Sequence, residues 1–268
     1  MAHPGHAPRP IRRFTDAGAV DLDDALVVEE PLEIRLGDVP IAVVMRTPGD
    51  DMTLALGFLF SEGILRHPDQ VLSVDYCQDV TADAAGNVVR VLAEGADVEA
   101  TEKARRSVYA SSSCGLCGKT TLDAVKLMAP PVRAGALSRD VAASLLDRLR
   151  AAQTLFDATG ALHAAGLFRL DGELRLVKED VGRHNACDKV LGAMVMREEW
   201  PLSGHVLALS GRASFEMLQK AAMAGIPAVV AVSAPTSLAV DYAREAGMTL
   251  VGFVRGRNMN VYAGEVSP

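Results

Sequence analysis

The chain has 268 residues, 49% hydrophobic and 23% charged, which suits a globular protein with room for one large domain or two modest ones. Its formal net charge of −7 excludes a broad electrostatic nucleic-acid footprint, which needs a basic face. No apolar run is long enough to span a bilayer, the first residues lack a signal-peptide pattern, and cysteines are few, so a cytoplasmic protein without membrane insertion is expected.

Residues 1–14, with three prolines, read as a flexible tail. Residues 15–134 read as an α+β portion. Strands at 32–36 and 41–46 flank Gly37-Asp38-Val39-Pro40, a hairpin signal. Thr47-Pro48-Gly49-Asp50 is a turn leading into a helix over 51–61, with Leu54, Phe58 and Leu59 on one face. Strands at 71–76 and 88–93 flank Ala84-Ala85-Gly86-Asn87, and a helix over 120–128 stops before Pro130-Pro131.

Residues 135–268 read as an α/β portion. Ser138 is placed to cap a long helix through Ala158, with Val141, Leu145, Leu149 and Ala152 on one stripe. Asp171-Gly172 marks a hairpin between strands at 164–170 and 173–178. Strands at 205–209, 228–232 and 249–254 then alternate with helices at 213–224 and 237–246, which Gly225 and Gly247 are placed to end. Such alternation predicts parallel strands with helical crossovers.

Two of the four cysteines stand in Ser113-Cys114-Gly115-Leu116-Cys117-Gly118-Lys119. In a Cys-x-x-Cys arrangement a thiol pKa can fall to roughly 3.5–7.5, and a helix starting near Gly118 together with Lys119 would favour thiolate. Such a sulfur can attack a persulfide on another protein, carry the outer atom and hand it on, while the second thiol resolves the persulfide through a transient disulfide. The same spacing is half of a zinc site, which would have to recruit Cys77, Cys187, His163 or His184, and it also serves thioredoxin-type redox pairs. Spacing alone leaves these readings open.

Three polar loops follow strands of the second half. Residues 179–189 run Glu-Asp-Val-Gly-Arg-His-Asn-Ala-Cys-Asp-Lys, with Asp180 placed to cap a helix reaching Met196. His184 and Asp188 share a face of that helix, as do Arg183 and Cys187. Ser210-Gly211-Arg212 and Ser233-Ala234-Pro235-Thr236-Ser237 each follow a strand and open a helix, so their N–H groups, hydroxyls and guanidinium suit an anion such as phosphate. Taken singly, each is more often a helix cap than a phosphate site, but successive parallel strands set their following loops side by side, which favours the anion reading. Phe253-Val254-Arg255-Gly256-Arg257-Asn258 ends the last expected strand, its two arginines suiting either a bidentate grip on pyrophosphate or a solvated basic tail. His163 reads as a partly buried hydrogen-bonding residue rather than a metal ligand.

These motifs, with Met45 through Asp50, Gly57-Phe58-Leu59 and Ser61-Glu62-Gly63, resemble the FdhD family, sulfurtransferases required for formate dehydrogenase maturation. The resemblance covers nearly everything after residue 15. It implies an α/β, cytidine-deaminase-like mixed sheet with helices on both faces, a smaller α+β N-terminal portion, and a homodimer. It implies that sulfur arrives from a cysteine desulfurase as a persulfide on Cys114, helped by Cys117. The sulfur then passes to the molybdenum or tungsten of the bis(molybdopterin guanine dinucleotide) cofactor, which enters the formate dehydrogenase apoenzyme. Cofactor contact maps to Phe253, Val254, Arg255, Gly256, Arg257 and Asn258. Ser210, Gly211, Arg212, Ser233 and His184 suit the dinucleotide and its phosphates, so GDP would occupy the same site. No resident metal is implied. Cys187 departs from the family pattern and suggests a third thiol near the cleft.

Two rivals belong to other classes. A zinc-dependent nucleoside deaminase needs His-x-Glu followed downstream by Pro-Cys-x-x-Cys. Here His163-Ala164-Ala165 lacks the glutamate and the cysteine pair comes first, so bound zinc is not expected. A non-catalytic cofactor chaperone would make Cys114 dispensable.

Overall fold

A computed structural model describes residues 5–102, 129, 132 and 137–268; Cys114, Cys117 and the helix expected over 120–128 lie outside the described residues. Where a tail was expected over 1–14, the described residues from His6 on form an antiparallel hairpin, β1 (His6–Thr15) and β2 (Gly18–Val27). Arginines on β1 face aspartates on β2, and Arg12 grips Asp21 through two bonds of 2.7 and 2.8 Å. Such opposite-charge cross-strand pairs hold the ribbon, and proline is tolerated because β1 is an edge strand.

β3 (Glu30–Leu36), β4 (Val39–Arg46), β5 (Val71–Tyr76) and β6 (Val88–Ala93) form a sheet of order β4-β3-β6-β5. The β3–β4 turn is tighter than the sequence suggests, because an irregularity at Ile34/Arg35 lets Pro40 join the strand opposite Arg35. α1 (Asp51–Ser61) covers this sheet, burying Leu54, Leu59 and Phe60 against Leu32, Ile34, Val89 and Val91.

β7 (Leu137–Ser138) leads into α2 (Arg139–Ala151), whose N-cap Ser138 accepts from the Val141 N–H as expected. The expected long helix then breaks, and α3 (Thr154–Thr159) starts anew. The remaining elements are β8 (His163–Arg169), β9 (Leu174–Asp180), α4 (Arg183–Val195), β10 (His205–Leu209), α5 (Phe215–Met223), β11 (Ala228–Ala231), α6 (Ser237–Glu245), β12 (Thr249–Arg255), β13 (Asn258–Ala263) and β14 (Val266–Ser267). They build a mixed six-stranded sheet of order β13-β12-β11-β10-β8-β9, parallel across β10-β11-β12. The chain after Arg255 is therefore another strand, β13, rather than a basic tail. Alternation along the strands sends Leu207, Leu209, Val229 and Leu250 to α4, α5 and α6, and Val206, Ala208, Val230 and Val251 to α2. Helices cover both faces, as expected for this α/β class.

The two sheets meet through α1 and α4, which cross backbone against backbone. A Cβ on Gly57 would land on the Asp188 carbonyl, and one on Gly192 would land on the Thr53 carbonyl. Gly192→Ala is therefore expected to destabilise the fold by about 3 kcal/mol or more, because the clash is with backbone and cannot be relieved by a rotamer change. Urea unfolding of the variant reads this directly, and an unchanged midpoint would contradict the close crossing.

Candidate functional site

The expected capping role of Asp180 gives way to a different one. Asp180 ends β9 with its side chain fully buried, and Gly182 is the N-cap of α4. Its carboxylate accepts from the Gly182 N–H at 2.8 Å, the Asn185 amide at 2.9 Å and the Thr47 N–H at 3.1 Å, and it pairs with Lys189 at 2.7 Å. Lys189 also donates to the Thr47 carbonyl at 2.8 Å, and Asn185 to the Met45 carbonyl at 2.7 Å. One turn along α4, Asp188 meets Lys220 at 3.0 Å and Ser61 at 2.8 Å. Burial pushes the Asp188 carboxyl up, opposed by Lys220 and Ser61. The same burial would lower Lys220, but Asp188 and Glu62 carry it upward. So most charges of residues 179–189 point inward and bind the two halves of the chain together.

Cys187 is equally internal. It is fully buried in the core under α4, and burial pushes its thiol pKa well up, so it supplies no thiol to a cleft. Among the described residues, no cluster of His, Cys, Asp or Glu is arranged for a metal ion.

The loops after β10 and β11 do lie side by side: Ala213 and Pro235 form a parallel bridge, and the Thr236 N–H donates to the Ala213 carbonyl at 3.1 Å. Beside them, where β10, β11 and β12 end and β8 begins, a cleft of about 530 Å³ opens beneath α2 and α3. That volume suits a small-molecule ligand. Ser210, Val254, Arg255 and Gly256 line it, together with His163. Ser210 Oγ accepts from the Ala164 N–H at 2.8 Å, which ties the loop to β8. Arg255 donates from one nitrogen to the Val232 and Val254 carbonyls at 2.6 and 2.8 Å, and its side chain stays at the surface. Gly211 packs against the His163 ring.

The other expected contacts sit around this cleft rather than in its wall. Phe253, at φ 53° and 45% exposed, donates its N–H to the Ser233 carbonyl at 3.3 Å. Arg212 and Asn258 are exposed. His184 contacts Glu216 at 2.9 Å. Arg257 turns towards α2 and pairs with Asp140 at 2.6 Å, so it and Arg255 do not close as one clamp. Sequence reasoning missed the roof of the cleft altogether: Leu146, Leu149, Arg150, Gln153 and Phe156. The one available signal was Glu179, whose carboxylate accepts the Leu155 and Phe156 N–H groups at 2.9 and 2.8 Å and so starts α3.

Comparison with known proteins decides the family. The FdhD/NarQ family model matches residues 27–267. The chain belongs to the FdhD/NarQ family. It is 54% identical over 266 residues to the sulfur carrier protein FdhD of Streptomyces avermitilis, covering 96% of this chain and 93% of that one. It is 48% identical over 268 residues to the Mycobacterium tuberculosis protein of the same name, covering 96% of each. A crystal structure assigned as a formate dehydrogenase accessory protein, from Desulfotalea psychrophila, superposes with a TM-score of 0.76 at 25% identity, over 97% of both chains. Among the described residues, no helix is long and apolar enough to cross a membrane.

In the cleft wall, burial lowers the His163 imidazole from its ordinary 6.5, and the charges of Arg183, His184 and Arg212 push it the same way. The folded state thus holds this proton less tightly than the unfolded state, so His163 withholds stability as pH falls through 6.5 and below. An NMR titration should place its midpoint below 6.5, and Arg212→Gln should move that midpoint upward. A midpoint at or above 6.5 in the native protein would rule out this environment.

Proposed function

We propose that this chain is a sulfur carrier that takes persulfide sulfur from a cysteine desulfurase and delivers it to the bis(molybdopterin guanine dinucleotide) molybdenum or tungsten cofactor during formate dehydrogenase maturation. What carries the reading is one coincidence. A chain of this family combines Cys114-Gly115-Leu116-Cys117 with an open cleft at the ends of three parallel strands, the edge at which α/β sheets take ligands.

With the desulfurase persulfide as sulfur donor and a cellular dithiol as reductant, the transfer balances. The Cys114 thiolate attacks the outer sulfur of the desulfurase persulfide. The donor S–S bond breaks, the desulfurase leaves as thiolate, and Cys114 carries the persulfide. The Cys117 thiolate then attacks the inner sulfur, forming the Cys114–Cys117 disulfide and releasing the outer sulfur as hydrosulfide towards the metal. A cellular dithiol reduces that disulfide before the next cycle.

The cofactor is substrate here. Ser210, Gly211, Arg212, Ser233, His184 and the segment from Phe253 to Asn258 are its binding residues, with phosphates near the arginines and the loop N–H groups. GDP would compete for the same surface. A cytoplasmic homodimer, meeting the desulfurase and the formate dehydrogenase apoenzyme in turn, completes the reading.

Intact-mass analysis after incubation with a cysteine desulfurase and cysteine tests it. A gain of about 32 Da, one sulfur atom on a reactive thiolate, is expected on the native chain and not on Cys114→Ala. The same variant should abolish formate dehydrogenase activation in cells while keeping its fold. A fully active Cys114→Ala would leave only a chaperone role.

A further inference from the structure

Gln153 is the N-cap of α3, yet it makes no cap hydrogen bond there. Glu179 has already taken the Leu155 and Phe156 N–H groups from across the layer. The Gln153 amide is left without a side-chain partner among the described residues, although the residue is only 3% exposed, and it lines the cleft. The access that its amide keeps is to the cleft, where a bound molecule can supply the bonds that the chain does not.

The surroundings say what that molecule is. Leu146, Leu149 and Val254 make apolar walls, and Phe156 stands at the rim with the Arg150 guanidinium 4.6 Å above its ring. These apolar walls beside one amide fit a flat heteroaromatic ring whose edge offers a donor beside an acceptor, while Asp147, Arg150 and His163 complete the lining with charged and polar groups. Ser210 and Arg255 line the same cleft and suit a phosphate attached to that ring.

We infer that Gln153 is a specificity-determining residue that reads the lactam edge of a planar heterocycle, the ring C=O beside a ring N–H that guanine and pterin share. Nε2 donates to the ring carbonyl, and Oε1 accepts from the ring N–H. The inference rests on the reading of this cleft as the cofactor site. It adds the roof of the cleft, which none of the expected cofactor contacts includes.

Titration calorimetry of the full chain with GDP and, separately, with neopterin tests it, comparing the native protein with Gln153→Met. The variant should bind the recognised probe about 10-fold more weakly, one buried hydrogen-bonded edge being lost, with an unchanged melting temperature because no bond within the chain is removed. The Gln153 side-chain amide signal, identified by its absence from Gln153→Met, should shift when that probe is added to native protein. A loss confined to GDP assigns the slot to the base, and a loss confined to neopterin assigns it to the pterin. Equal affinities in both proteins with an unmoved amide signal, or no binding of either probe by the native chain, would overturn the inference. Sulfur transfer is read separately by mass, so the carrier reading and this one can fail independently.

Discussion

The contact on which everything else depends is the crossing of α1 and α4 at two glycines. With Gly57 against the Asp188 carbonyl and Gly192 against the Thr53 carbonyl, the helix backbones touch, and the distance between the two sheets is set by peptide groups rather than side chains. α4 is buried on nearly every side from Asn185 to Val195, so its polar residues must find partners inside. They do so across the same boundary: Asp188 with Lys220 and Ser61, and Asp180, Asn185 and Lys189 with the Met45–Thr47 backbone. Buried ion pairs of this kind add little net stability but strongly disfavour other arrangements, since removing one partner strands a charge.

That rigid joint positions the cleft. β9 ends at Asp180 inside the network, and the residue before it, Glu179, faces the opposite way, towards the helical layer over the other face of the sheet. There its carboxylate caps α3 and splits what the hydrophobic stripe alone would make one helix. The break turns Gln153 and Phe156 towards the strand ends instead of along a continuous helical face. A single carboxylate thus links the scaffold to the shape of the site, and the same motif serves both.

Local signals were legible wherever a short-range rule operates. The strands Val71–Tyr76 and Val88–Ala93, the helix Asp51–Ser61, the Asp171-Gly172 hairpin and the Ser138 cap all follow from alternation, turn chemistry or capping, which involve only near neighbours. Other elements were not legible in this way. β1 carries two prolines and three arginines and shows no apolar alternation, β13 becomes a strand only by pairing with β12, and Asp180, Cys187 and Asp188 turn inward because α4 is packed between α1 and the β8–β9 side of the sheet. Spacing of 3.6 residues groups side chains on a face, but it does not say whether that face meets water.

By itself the sequence determined the α/β alternation, the family-defining motifs and the types of residue available for sulfur and phosphate chemistry. Those are properties of composition, periodicity and short spacing, carried by the chain in any conformation. Only the tertiary structure decided which of the charged residues became scaffold and which reached the cleft. That choice depends on partners more than a hundred residues apart, such as Thr47 for Asp180 and Ser61 for Asp188, brought within hydrogen-bond distance by the glycine crossing.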